Sequence, residues 1–322
     1  MVLHQANVLA SRGHDVTVVC PSERPDWYSL KARWQQTTGL DPHEIPQADV
    51  VVATFWTTIA RALAARSGAV VHFCQGFEGD LEHNIAEHPA ILEAYGRQVP
   101  AMTVSPHLAA MIRERFGRPA RVIPQPLEPW WRPRRRWSPG KPARILATGP
   151  WEIYLKGVPT AARAIQGLRA MGLDCRWVRL SQWPLSDEEQ GALEPDEFHH
   201  HLPPERVPDL IRSCDLLLAP SWPVEGFGLP VLEAMACGVP SVVSDIPSFR
   251  GFAEGASILV PRDDVDAFAA AAASLLTQPR RWRRHRRRGL KVAQAYREDR
   301  AGQAIEETLR WVADGSWRMA DG

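Results

Sequence analysis

Short β-branched runs alternate with helically spaced segments along almost all of this chain, and the alternation stops and restarts once. DVTVVC (15–20), ADVVVATFW (48–56), AVVHFCQG (69–76) and MTVS (102–105) read as parallel strands, since strands covered on both faces are continuously apolar. VLHQANVLASRGH, TTIARALAARSG and PHLAAMIRERFG carry apolar residues at helical spacing. Gly13 suits the end of the first, and Ser105 with Pro106 suits the cap and first position of the third. RVIPQPL closes this half. ARILATG (143–149), CRWVRLS, DLLLAPS (215–221), PSVVSD (240–245) and SILVP (257–261) are the strands of the second run. GVPTAARAIQGLRAMG, VPDLIRSC, LPVLEAMACG (229–238) and DVDAFAAAAASLLTQ are its helices, and two more helical stretches follow. The pattern predicts an α/β protein with doubly wound parallel sheets.

The break falls at EPWWRPRRRWSPGKPA (128–143), whose prolines, glycine and charge run suit neither helix nor strand. A length of 322 residues accommodates two domains of roughly 150 each. We therefore expect a first domain over 1–127, a linker over 128–142, a second domain over 143–300, and a C-terminal helix over 301–322 crossing back to the first domain. Ligands of such sheets bind at the carboxyl ends of the strands, and two facing domains would put the site in the cleft between them. The first domain opens directly on a helix, where a central strand and tight turn normally come first. Either that strand is missing from the sequence, or the sheet has a gap that something else fills.

Charge and cysteine content narrow the function classes. The formal net charge is +1, so no global field selects a polyanion. The five cysteines are scattered and never spaced C-x-x-C, which argues for free thiols in a reducing compartment. There is no signal peptide pattern and no apolar run of the ~20 residues that span a bilayer. The expectation is a cytoplasmic protein, with membrane association at the inner face as an option.

EGFGLPVLE (225–233) carries the chemistry. Pro223, Gly226 and Gly228 end the preceding strand, and Pro230 suits the first turn of the next helix. The free N–H groups and dipole at that helix start make an anion site, open because glycines have no side chain to block it. Glu225 and Glu233 flank the site and suit hydroxyl groups, since a carboxylate accepts two hydroxyl hydrogens at once. A nucleotide diphospho-sugar, with phosphates between two polyol rings, matches this layout.

The composite of APS, E-G-F-G-L-P, E-A-M-A-C-G-V-P and S-D resembles family 4 of the glycosyltransferases. These are retaining enzymes of the GT-B fold, two Rossmann-like domains facing across a cleft. The likeness covers most of the second half. In the first half, RGHDVTVVC and PARVIPQPLEPWWRP look like the family's second strand and interdomain crossover. The resemblance implies that Glu225 faces the sugar ring and Glu233 the ribose. It implies that the backbone of Gly226, Phe227, Gly228 and Leu229 holds diphosphate and sugar, with Gly149 and Ser221 beside it. No metal or other cofactor is implied. Lys156 in GPWEIYLKGVP matches the family's lysine for the leaving diphosphate, while Trp151 or Pro150 stands where an arginine is expected. Gln75 holds the place of a family histidine, with Glu78 beyond it on the acceptor side; a similar Q-x-[FY]-E stretch occurs in members acting on deoxysugars. Glu78 either orients the acceptor or stays a loop carboxylate in water. His72 reads as a packed residue.

Two basic or aromatic runs need separate readings. HHH (199–201) is an unlikely metal site, because adjacent extended residues point to opposite faces; a strand end near the nucleotide base is the better reading. RRWRRHRRRG (280–289) holds seven arginines that would encircle a solvated helix. Attraction to anionic lipid is the second reading, and nucleic acid is not expected, with no recognition motif present. The expected activity is hexosyl or deoxyhexosyl transfer, with retention, from a nucleotide diphospho-sugar to a saccharide or lipid-linked hydroxyl acceptor. A GT-B nucleotide-sugar binder or epimerase without transferase turnover is the alternative.

Overall fold

The computed structural model describes residues 1–319. In chain order the elements are α1 (Val2–Ser11), β1 (Thr17–Cys20), β2 (Arg33–Gln36), β3 (Val50–Ala53), α2 (Trp56–Ala65), β4 (Ala69–Cys74), α3 (His88–Tyr95), β5 (Ala101–Thr103), α4 (Pro106–Phe116) and β6 (Ala120–Val122). Then come β7 (Ala143–Thr148), α5 (Val158–Ala170), β8 (Cys175–Ser181), α6 (Asp187–Leu193), β9 (Glu197–His200), α7 (Val207–Ser213), β10 (Leu216–Ala219), α8 (Leu229–Cys237), β11 (Ser241–Ser244), α9 (Pro247–Arg250), β12 (Ile258–Val260), α10 (Val265–Thr277), α11 (Pro279–Ala293) and α12 (Glu298–Ala313). Two compact units result. One runs from Met1 to Pro126 and takes in the chain from Tyr296 on; the other is Leu127–Ala295.

The second unit is one parallel sheet of order β12-β11-β10-β7-β8-β9. Its strands read as unbroken apolar runs because helices cover both faces. β7 pairs with β8 on one side and β10 on the other. One buried cluster runs through Ile145, Ala147, Trp177, Leu216, Val242 and Val260 and is closed by Ile165 of α5 and Phe268 of α10. Fully buried Trp282 of α11 donates its Nε1–H to the Asp215 carbonyl at 2.8 Å.

Asp215 is the polar centre of this unit. Its buried carboxylate accepts the amides of Gly140 at 2.7 Å and Arg144 at 2.8 Å and pairs with Arg136 at 2.9 Å. One side chain thereby fastens the proline-rich segment to β7 and β10.

The first unit is parallel but divided. β1 pairs with β2 in one sheet, and β3-β4-β5-β6 form another. The small core of Ala6, Leu30 and Ala32 is separate from that of Ala53, Ile59, Ala62, Ala94 and Val99. α12 packs on α1 and on β3 and β4. Arg12 donates twice to Glu306, at 2.7 and 2.8 Å, and His14 contacts it at 2.9 Å. Those bonds hold the Glu306 carboxyl down at about 2. Ser105 occupies the position before α4 but makes no cap bond, and its hydroxyl is buried without a partner. The capping expectation is corrected there: Pro106 and the dihedrals alone start the helix.

Asp215→Ala should lower the unfolding free energy of the second unit by about 3 kcal/mol or more, because it orphans two amides and a guanidinium. Urea unfolding checks this; an unchanged midpoint is the contrary result.

Candidate functional site

The order β10-β7-β8 makes a topological switch point. From β7 the chain moves one way to β8 and β9, and then returns to the other side of β7 as β10. Loops leaving β7 and β10 therefore diverge at their carboxyl ends, which is where doubly wound sheets bind ligands. The sequence-derived candidates of the second half converge here.

The two loops are fastened to each other. The Trp222 amide donates to the Leu155 carbonyl at 2.9 Å. Gly157 has φ +61°, and a Cβ there would stand 2.0 Å from the Pro220 carbonyl oxygen, so only glycine lets the strands' loops approach this closely. Across the seam, Lys156 Nζ donates to Glu225 Oε2 at 2.7 Å, with both side chains partly buried. Lys156 is thus paired with the neighbouring candidate acid.

Gly228 precedes α8 with φ +92°, and a Cβ would meet Phe249 Cε1 at 2.2 Å. Phe227 turns its side chain inward and stacks on Phe252, ring centroids 4.6 Å apart. The Val231 amide folds back to the Gly228 carbonyl at 3.0 Å. Pro230 has no amide to offer, so Gly228 and Leu229 supply the N–H groups without an intrahelical acceptor. Gly226 and Ser221 are buried in the same loop.

Glu233 lies on α8 and keeps part of its surface open. Burial, and then the Glu128 carboxylate, push its pKa up to about 8. Near neutrality this shift favours the protonated carboxyl.

Three features were missed from the sequence. Arg179 of β8 is fully buried, pairs with Glu189 at 2.5 Å, and donates to the carbonyls of Ala147 at 2.8 Å and Gly149 at 2.7 Å. It braces the turn that leads to Lys156. An arginine inside an apolar strand was the available signal, since a buried charge demands partners. Arg262 places its guanidinium 4.2 Å above the Trp222 ring, against which Tyr154 also packs edge-on. Trp151, at the position where an arginine was sought, is buried in the core.

In the first unit, Gln75 donates to the Thr54 carbonyl at 3.2 Å. Glu78 accepts from the Tyr95 hydroxyl at 2.5 Å, and burial raises its pKa. The reading of Glu78 as a carboxylate in water is thereby corrected. Buried His72 has no hydrogen-bond partner at either ring nitrogen and is held neutral by burial, its pKa at about 3. His199 and His200 end β9, the edge strand of its sheet.

Residues 142–278 match the family model described as Glycosyl transferases group 1. That stretch of the second unit is thus similar to the group 1 glycosyl transferases, and it contains the switch-point loops. Over 90% of its length the chain is 28% identical to the MMP alpha-(1->4)-mannosyltransferase of Mycolicibacterium hassiacum, covering 89% of that protein. It is 31% identical, over 56% of this chain and 48% of that one, to the GDP-mannose-dependent alpha-(1-6)-phosphatidylinositol dimannoside mannosyltransferase of Mycobacterium tuberculosis. The chain spans about half or less of the length of several curated relatives it matches. In fold it is similar to the sucrose-phosphate synthase of Thermosynechococcus elongatus, with TM-score 0.79 at 17% identity over 98% of this chain and 93% of that one.

The raised pKa of Glu233 fixes a sign. The unfolded carboxyl ionises near its ordinary value of 4.5 and the folded one at about 8, so stability is lost as pH rises through that window. Glu233→Gln should match the parent near pH 4 and melt at a higher temperature above pH 8. Melting curves across pH check it, and equal melting temperatures at high pH would contradict it.

Proposed function

We propose that this protein transfers a hexosyl or deoxyhexosyl group, with retention, from a nucleotide diphospho-sugar to a hydroxyl of a saccharide or lipid-linked acceptor, without a metal ion. The observation that carries this reading is the Lys156–Glu225 pair at 2.7 Å beside the start of α8. In this reading the diphosphate takes Lys156 and the amides of Gly228 and Leu229, where charge develops on the departing group. Glu225 is then released to the sugar hydroxyls. Preformed donors of this kind contribute because they need no reorganisation as the bond breaks. Glu233 meets the ribose, and Gln75 and Glu78 belong to the acceptor side. The absent arginine has a candidate substitute in Arg262, exposed next to Trp222. The GDP-mannose dependence of the Mycobacterium tuberculosis relative makes GDP-mannose the first donor to try.

The basic helix supports a second part of the proposal, peripheral contact with an anionic membrane. α11 turns Trp282, Gly289 and Ala293 inward. Arg286 bonds the carbonyls of Gly238 and Arg134, and Arg288 that of Gly255. So the arginines do not simply encircle a free helix; Arg280, Arg281, Arg283, Arg284 and Arg287 make an exposed face. Each such cation contributes about 1 kcal/mol near an anionic surface.

Lys156→Ala and Glu225→Ala should each cut turnover roughly a hundredfold or more, about 3 kcal/mol, with unchanged melting and with EDTA without effect. Their nucleoside diphosphate affinities should move apart: weaker for Lys156→Ala and tighter for Glu225→Ala, which frees the lysine. Calorimetry and donor turnover with a panel led by GDP-mannose check this, and near-normal rates in both variants would refute the site. Cosedimentation with phosphatidylglycerol but not phosphatidylcholine vesicles, lost when the five exposed arginines become glutamine, tests the membrane contact.

A further inference from the structure

The Tyr95 hydroxyl of the first unit has one hydrogen and two acceptors. It lies 2.5 Å from Glu78 Oε2 and 2.9 Å from the Gly76 carbonyl oxygen. A phenol donates once, so only one of the two receives a full bond at a time. The protonation of Glu78 decides which. An ionised carboxylate only accepts, so it takes the hydroxyl hydrogen in the stronger, charge-assisted bond. The Gly76 carbonyl then keeps the Cys74 thiol, which donates to it at 3.2 Å. A protonated carboxyl donates to the phenol oxygen instead, and the phenol hydrogen turns to Gly76.

The heavy atoms around that hydrogen are held in place. Tyr95 ends α3 and is fully buried. His72 and Phe77 pack edge-on to its ring with centroids 5.0 and 4.9 Å away, and Phe116 lies at 5.3 Å. Arg118 donates to the Tyr95 carbonyl at 2.9 Å and to the Val99 carbonyl at 2.8 Å. On the other side, Asn84 Nδ2 donates to the Glu78 carbonyl at 2.9 Å, and the Asp80 amide to the Phe77 carbonyl at 3.1 Å. A Cβ on Gly79 would stand 2.5 Å from the Phe77 ring. Glu78 itself is only partly buried, so a carboxyl held by a buried phenol is also within reach of a ligand.

The neighbouring charges leave Glu78 as the group that switches. From β4, burial pushes the Cys74 thiol up to about 12 and the His72 imidazole down to about 3. Arg118, behind α4, is lowered by burial to about 10 and stays a cation near neutrality. Arg115 of α4 lies over the Phe77 ring and reaches Asp80 at 4.0 Å, and His88 of α3 lies against Gly79. Among the buried groups, Glu78 is the one that changes charge between those limits; burial raises it.

We propose that Tyr95 is a positioning residue for Glu78: its single hydroxyl hydrogen turns between the Glu78 carboxylate and the Gly76 carbonyl, and the carboxyl so held receives a hydroxyl of the acceptor. The acceptor role rests on the transferase reading above; the two positions of the hydrogen rest on the geometry alone. A ligand hydroxyl that donates to Glu78 favours the ionised form, as the phenol does. Acceptor binding and loss of the Glu78 proton are therefore coupled, and the acceptor binds more tightly as pH rises through the Glu78 midpoint.

Carbon-13 NMR of side-chain carboxyls and backbone carbonyls across pH is the test, on the full chain, with Glu78→Gln to assign the signal. The Glu78 carboxyl should titrate above the ordinary carboxylate range, and the Gly76 carbonyl should follow with the same midpoint. Tyr95→Phe keeps the ring. It should raise the Glu78 midpoint by about one pH unit or more, because the carboxylate loses a charge-assisted bond, and it should leave the Gly76 carbonyl flat. A flat Gly76 carbonyl in the parent, or an unmoved Glu78 midpoint in the variant, would overturn the proposal. If Tyr95→Phe does not fold, the Gly76 titration of the parent decides alone. Turnover of GDP-mannose with methyl α-mannoside as the acceptor probe reads the functional half. Tyr95→Phe should raise the acceptor KM roughly tenfold at unchanged donor KM, and the pH dependence of that KM should move with the NMR midpoint. An unchanged acceptor KM removes the acceptor role. No turnover by the parent with any donor of the panel refutes the transferase reading and that role together, whereas the NMR titrations still decide the switch.

Discussion

Pairing of β7 with a neighbour on each side is the constraint from which the second unit follows. β7 is the first strand of this unit, so it gains its second neighbour only when the chain crosses back over it to β10, and parallel strands need long crossover connections, usually helical. The loops that leave β7 and β10 must then part at their carboxyl ends. Gly157 lets the two loops touch at Pro220, and Gly228 turns the second into α8 against Phe249. Every candidate in this unit sits on one of those loops or on the helix behind it.

Charge is arranged around that point so that little of it is uncompensated. Lys156 has Glu225, and Arg179 has Glu189 together with two carbonyls. A desolvated cation without a partner would be costly; the pairs hold both cations in position at low cost. Glu233 is the exception. Burial, and then the Glu128 carboxylate, push its pKa up to about 8. A ligand able to share hydrogen bonds with that carboxyl would change its protonation on binding.

The alternation of elements was legible because β-branched runs and helical spacing are local properties. β2 was not: RWQQ is polar and half-exposed, an edge strand formed by its pairing with β1. The loop E-G-F-G-L-P was legible as well, since glycine and proline restrict backbone directly. The partners were not. That Lys156 would meet Glu225, 69 positions away, depends on β7 lying beside β10, which no local pattern encodes. Trp151 shows the opposite error, a position sought for a cation that the core had claimed for packing.

The two units distribute their cores differently. In the second, a single apolar cluster extends across five strands and two helices. In the first unit the cluster of Ala6, Leu30 and Ala32 lies apart from that of Ala53, Ile59 and Val99, and α12 packs on α1, β3 and β4. Part of that connection is ionic: Glu306, held at about 2 by Arg12 and His14, sits on the surface of the α1–α12 seam. Exposed pairs contribute little and weaken with salt, whereas buried apolar area does not. Cohesion in the first unit therefore rests chiefly on buried groups such as Phe73, Tyr95, Met102, Ile112 and Ile123, and the Glu306 contacts add to it at the α1–α12 seam.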